Sequence, residues 1–392
     1  MQLPFLLLIG AIVLGVLSGL LPGLHPNSIG AVIIQIFGQN VEIAYALIII
    51  AGVHCALAFL PSIFLGVPEG QTQIALLPGQ RMFSLGRGEE AAVVVAVSVV
   101  VASILSILAI PFIIPILPSI FSVVEPYIGY ILLIAAAALL AHEIGREKIF
   151  KAGVVFLLAA ILGKMVLDMP MHEPLFALFV GFFTMPALLS GNLAKPKIIK
   201  NEKQDYSLSY MPYVFAGVLL GALADLIPGI STPAQIAVFT SMFFKMDSAR
   251  NFLAHVAAIE ASHTVFAIAS AASIKIARVG TIAMAQGMAD INVQSWPSFA
   301  GAFLFSAALG AFLLARLAGP MGRKIGQIDM DLIAKILGAY LIVMTFFSDG
   351  ILGLVVLATA FAIGYLPLVW RVSRTHVMGS LIGPSILHAF GV

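Results

Sequence analysis

Five residues in the sequence combine a titratable or charged side chain with a strongly apolar setting: His25, His54, Asp225, Glu260 and His263. Imidazole can donate to an anion or change charge near neutral pH, and a carboxylate can take up a proton or a cation. Inside a bilayer such groups are unfavourable unless they are paired or used, so each is a functional candidate. Glu260 and His263 form E-x-x-H, a spacing that places both on one helical face. Metal sites in bundles use that motif twice with two further glutamates. The second copy is missing, so a polar pair lining a cavity is the better reading and no metal is expected.

His25 lies in "GLLPGLHPNSIG", Gly19 to Gly30, directly behind an apolar N-terminal run. Pro22, Gly23 and Pro26 interrupt a helix there. The second half carries "GALADLIPGIST", Gly221 to Thr232, followed by Pro233. Breaking a helix in lipid exposes N–H and C=O groups, which costs several kcal/mol each unless a neighbour, a cavity or a ligand satisfies them. After each break a new helix can start, with His25 or Asn27 capping the first, and Ser231 or Thr232 the second with Pro233 at its first position. Each such end offers N–H donors and roughly half a positive charge, so two facing ends can hold an anion. The candidate substrate site is therefore Pro22, Gly23, His25, Pro26, Asn27 and Ser28 together with Pro228, Gly229, Ser231, Thr232 and Pro233. Asp225, His54, Glu260, His263, Glu69 and Thr72 are candidates for binding a coupling ion or lining the cavity. Glu69 and Thr72 belong to a further irregular segment after Pro68.

The elements that position these groups follow from composition. Of 392 residues, 61% are hydrophobic and 10% charged, with mean hydropathy +1.10. Soluble chains carry roughly 25% charged residues, so this chain belongs in a bilayer. Apolar runs such as Ala91 to Leu117 and Ile351 to Trp370 reach the roughly 20 residues of a spanning helix. The net charge of +2 points to no nucleic-acid partner, and the single cysteine, Cys55, excludes an intrachain disulfide. The segment "MQLPFLLLIG" lacks a basic leading region and is read as a retained helix. No phosphate-binding loop G-x-x-x-x-G-K-[ST] occurs, which disfavours direct nucleotide hydrolysis.

Basic loops mark the cytoplasmic side: Arg81 and Arg87; Arg146, Lys148 and Lys151; Lys195 to Lys203; Arg323 and Lys324; Arg371 and Arg374. Spans over Ala91–Leu117, Tyr127–Ala141, Val154–Leu167 and Leu175–Leu189 place each of these inside. Arg81, Arg87, Glu89 and Glu90 are read as interfacial anchors. Lys275 and Arg278 are the exceptions to the charge rule. A later hairpin turns at Ser348 to Gly350.

Sliding the halves by 206 residues lays Pro22 on Pro228, Gly23 on Gly229 and His54 on Glu260. Counting spans gives the two units opposite orientations. The organisation is repeat unit 1 over residues 1–90, linking helices over 91–193, a cytoplasmic loop over 194–206, an inverted repeat unit 2 over 207–296, and C-terminal helices over 297–392. The expected fold is an all-α integral membrane protein, a polytopic helical bundle with two inverted-topology repeats and broken or re-entrant helices. Inverted repeats with paired interruptions point to secondary transporters.

Four segments resemble the large membrane subunit of tripartite tricarboxylate transporters, the TctA-type permeases. They are "GLLPGLHP", "FLGVPEGQTQIALLPGQRMFSLGRGEEA" (Phe64 to Ala91), "LIPGISTP" and "SRTHVMGSLIGPSIL" (Ser373 to Leu387). The chain differs in being short, in Pro68-Glu69 where the family has Pro-Gly, and in "EASHT" (Glu260 to Thr264) where it has Asn-Asn-Ala. The resemblance implies an importer of small organic anions in the plasma membrane, not an enzyme. It also implies coupling to an H⁺ or Na⁺ gradient without a cofactor, a small membrane subunit and an extracytoplasmic binding protein. Two other readings remain open on the residues alone: a polyprenyl-phosphate or lipid-phosphate translocase, and an intramembrane enzyme using His54, Glu260 and His263.

Overall fold

The computed structural model describes residues 4–21, 24–66, 76–189, 202–226, 248–325 and 330–391. Those residues form helices and connecting turns, with no strand among them. Seven helices among them are long and apolar enough to cross a membrane. The protein is an all-α, many-spanning membrane protein.

The first four helices are α1 (Phe5–Leu20), α2 (Pro26–Phe37), α3 (Val41–Phe64) and α4 (Leu76–Ser84). Asn40 starts α3, its Oδ1 accepting from the Ile43 N–H at 2.8 Å. Four more follow: α5 (Gly88–Ile113), α6 (Leu117–Ala141), α7 (Arg146–Leu167), and α8 built of Pro174–Phe179, a π-turn Val180–Thr184 and Met185–Leu189. The second half holds α9 (Met211–Leu226), α10 (Ala249–Ser273), α11 (Gly280–Met288), α12 (Trp296–Ile325) and α13 (Met330–Trp370). A short 3₁₀ turn, Arg374–Met378, leads into α14 (Gly379–Ala389).

Three expected spans shift, the one over Tyr127–Ala141 beginning already at Leu117. The one expected over Ala91–Leu117 runs Gly88–Ile113, because Glu89 and Glu90 suit a helix N-terminus and the proline at 118 opens the next helix instead. The one expected over Val154–Leu167 begins at Arg146, directly after Gly145 with φ 104°. Inside α13, Gly350 leaves helical geometry (φ 61°), so the turn expected at Ser348 to Gly350 is present. There the Asp349 carboxylate accepts the His172 N–H at 2.5 Å, at the entry of α8.

The main core is shared by the two halves. α1 packs on α3 as α9 packs on α10; α3 lies against α12 as α10 lies against α5; and α5 and α12 face each other. α1 and α9 are both 16 residues long and begin 206 residues apart. α3 and α10 are buried over almost their whole length, which is why their apolar residues show no outward face. α7, α8, α13 and α14 form separate apolar clusters beside that core. The peripheral bundle is tied by Glu143, whose carboxylate accepts from the Ser373 N–H at 2.6 Å and lies 3.0 Å from His376 Nε2. Burial raises the Glu143 carboxyl, but these two partners outweigh it and hold it below its usual value.

Candidate functional site

α1 ends at Leu20 and the chain resumes a helix at Pro26, which occupies the first position of α2. His25 is the cap: its Nδ1 accepts from the Asn27 N–H at 3.2 Å. A nitrogen that accepts carries no proton, so the neutral ring is protonated at Nε2 and can donate there. The His54 ring lies edge-on to it, with centroids 5.5 Å apart. His54 Nδ1 is 3.1 Å from Ser18 Oγ, and that hydroxyl donates to Gly15 O at 2.9 Å. Since the Ser18 proton is committed to a carbonyl, His54 Nδ1 is assigned as the donor to Ser18. The first unit thus brings His25, His54 and Ser18 together, with their mutual bonds satisfied.

The second unit is different. Asp225, near the end of α9, is 1% exposed and His263 of α10 is 4% exposed, with Asp225 Oδ1 and His263 Nε2 3.9 Å apart. No hydrogen bond of ordinary geometry reaches His263 Nε2, Glu260 Oε2 or the Asp225 carboxylate oxygens among the described residues, and the groups set toward Asp225 are the Ser270 hydroxyl and the Arg278 guanidinium. Leaving a buried polar group unpaired costs about 1–3 kcal/mol, more for charged groups. Glu260 neighbours Cys55 of α3 across the core. Among the described residues no group of three or more His, Cys, Asp or Glu is placed to hold a metal ion.

Arg278 contradicts the charge rule for a local reason. Its Nε donates to the Asp225 backbone carbonyl at 2.5 Å, where the last carbonyls of α9 lack helical partners, and its guanidinium lies 5.9 Å from the Phe121 ring centroid. Lys275 is held by Asp290 at 2.9 Å.

Several predicted site residues lie outside the described residues: Pro22, Gly23, Glu69, Thr72, Pro228, Gly229, Ser231, Thr232 and Pro233. Ser28 is described only as backbone of α2. Asn27 sits at the start of α2 against α11, where a Cβ on Gly280 would lie 2.6 Å from its amide.

Sequence reasoning missed a polar centre at the N-terminal ends of α5 and α10. Glu90, read as an interfacial anchor, is 0% exposed. It accepts from Arg87 at 2.8 and 2.6 Å and from the Asp205 N–H at 2.8 Å, and Arg250 Nε lies 3.5 Å away. Gln204 bridges the Glu90 N–H and the Gly86 carbonyl, at 3.0 and 2.7 Å. Arg250 also pairs with Asp205 and lies over the Tyr210 ring. The centre joins the α4–α5 turn, the connector between the halves and the first turn of α10. "G-R-x-x-E" (Gly86 to Glu90) is the signal that could have found it, because Arg and Glu three apart on a helix start face each other.

Fold and site together define a polytopic helical membrane protein with buried titratable groups beside an interrupted helix. The chain belongs to the tripartite tricarboxylate transporter TctA family, whose model matches residues 5–379. It is therefore a membrane transport protein. It is 28% identical over 404 residues to an uncharacterized protein, MJ1079, from Methanocaldococcus jannaschii, covering 99% of each chain. No solved structure matches it.

Proposed function

We propose that this chain is the permease of an ion-coupled importer of small organic anions such as carboxylates. The anion is held at the N-terminal end of α2, where His25 Nε2–H and the amide-rich first turn supply donors and a partial positive charge. The coupling ion, H⁺ or Na⁺, is held by Asp225 with His263. The observation that carries the reading is that Asp225 and His263 are buried with Oδ1 and Nε2 3.9 Å apart, and that His263 Nε2 has no hydrogen-bond partner among the described residues. The family's tripartite organisation supports a small membrane subunit and an extracytoplasmic binding protein as partners. The matching bounds of α1 and α9, and the reciprocal packing of α3 with α12 and α10 with α5, support two repeat units of opposite orientation.

The test is uptake of labelled citrate into vesicles carrying the full chain and its partner subunits. Uptake should rise when an inward H⁺ or Na⁺ gradient is imposed and stop when both are collapsed. Uptake indifferent to both gradients would reject the coupling.

A further inference from the structure

The start of α11 holds features that the reading above leaves unused. α2 and α11 lie side by side: Asn27 meets Gly280, and one turn further along each helix Gly30 meets Met284, where an added Cβ would be 2.9 Å from Met284 Cε. Successive turns meet in the same order, so the two helices run in the same direction with their N-termini level. Both are long enough to carry a helix dipole, 12 residues in α2 and 9 in α11. Two like ends of roughly half a positive charge each then repel unless a negative group lies between them.

The start of α11 has no cap of its own. Val279 occupies the cap position without a side-chain bond, and the first intrahelical hydrogen bond begins at the Ala283 N–H. Thr281, in this first turn, is 1% exposed, and its Oγ1 has no hydrogen-bond partner among the described residues. Arg278, two residues before α11, adds a positive charge; its Nε donates to the Asp225 carbonyl, its guanidinium lies near the Phe121 ring, and the Asp225 and Glu125 carboxylates act on it. Gly280 is required by contact: a Cβ there would strike the Asn27 amide at 2.6 Å, so the α11 backbone and that amide share one wall.

We propose that the first turn of α11 is a second anion-binding wall of the transport site, with Thr281 Oγ1 and the Asn27 amide donating to an oxyanion group, a carboxylate or phosphate, that the start of α2 also faces. This rests on the transport reading and adds to it a binding turn in the second half of the chain, outside both proline-glycine segments. Thr281 is the specificity-determining side chain, since its buried hydroxyl has no partner among the described residues and an oxyanion would supply one.

The experiment measures thermal stabilisation and binding of labelled citrate, with inorganic phosphate and acetate as further probes, using the full chain in detergent. Wild type should be stabilised by citrate or phosphate. Thr281→Val, which removes the hydroxyl and keeps the shape, should raise the dissociation constant at least tenfold. Thr281→Asp places a carboxylate between the two helix ends; it should raise the unfolding midpoint of the ligand-free protein and abolish stabilisation by citrate. Thr345→Val, remote from α11 with its hydroxyl bonded to Leu341 O, should leave binding unchanged. Unaltered citrate binding in Thr281→Val, or a lowered midpoint in Thr281→Asp with Thr281→Val fully stable, overturns the second wall while leaving the transport reading in place. Wild type unresponsive to all three probes overturns both.

Discussion

Where α1 crosses α3, the close approach falls at Gly19, whose added Cβ would lie 2.5 Å from Leu57 Cβ, and the polar contact one residue earlier is Ser18 with His54. Where α9 crosses α10, the positions 206 residues on are Asp225 against His263, with Ala224 and Glu260 in place of Ser18 and His54. The backbone crossing is alike; the chemistry is not. The first crossing is sealed by a glycine and a satisfied serine–histidine pair. The second holds a buried carboxylate and an imidazole whose Nε2 has no hydrogen-bond partner among the described residues. On the mechanism proposed above, the first crossing positions the cap of α2 and the second loads and releases the ion.

Breaking the support beneath the second crossing should have the largest effect on stability. Glu90→Ala leaves Arg87 and Arg250 around a missing carboxylate, and removing one partner of a buried ionic cluster costs about 3–5 kcal/mol. Unfolding in detergent should show that loss; a loss below about 1 kcal/mol would mean that water enters the centre and screens it. Gly19→Ala should come next, at about 1–3 kcal/mol, because overpacking forces α1 away from α3. Gly10→Ala on the same helix, with nothing within 4 Å of the new Cβ, should instead gain about 0.5–1 kcal/mol. Equal effects at the two glycines would contradict the sealed crossing. Smallest is the contrast between the polar pairs. Ser18→Ala leaves His54 Nδ1 without its hydroxyl partner and should cost about 1–2 kcal/mol. Asp225→Asn removes a buried carboxylate while Arg278 keeps its bond to the Asp225 backbone carbonyl, and should leave the unfolding midpoint unchanged or higher.

Much of this was legible in the sequence, for physical reasons that differ by residue. Spans were readable because 20-residue apolar runs have no other use, and the cap at His25 because a polar residue before proline is a helix start. Glu90 was misread because its partners Asp205 and Arg250 lie far along the chain, and local charge patterning resembles that of an interfacial turn. The start of α11 was missed because Val279 and Gly280 carry no start signal: no Ser, Thr, Asp or Asn cap and no proline. Arg278 stood out only as a violation of the charge rule, and its reason is a carbonyl 53 positions earlier in the sequence.

The central claim is that Asp225 carries the coupling ion while the anion is held elsewhere. It is tested most directly by comparing Asp225→Asn with wild type in two vesicle assays, citrate accumulation driven by an ion gradient and citrate exchange at equilibrium. The account predicts that the variant loses accumulation and keeps exchange. Accumulation at the wild-type level in Asp225→Asn would contradict it.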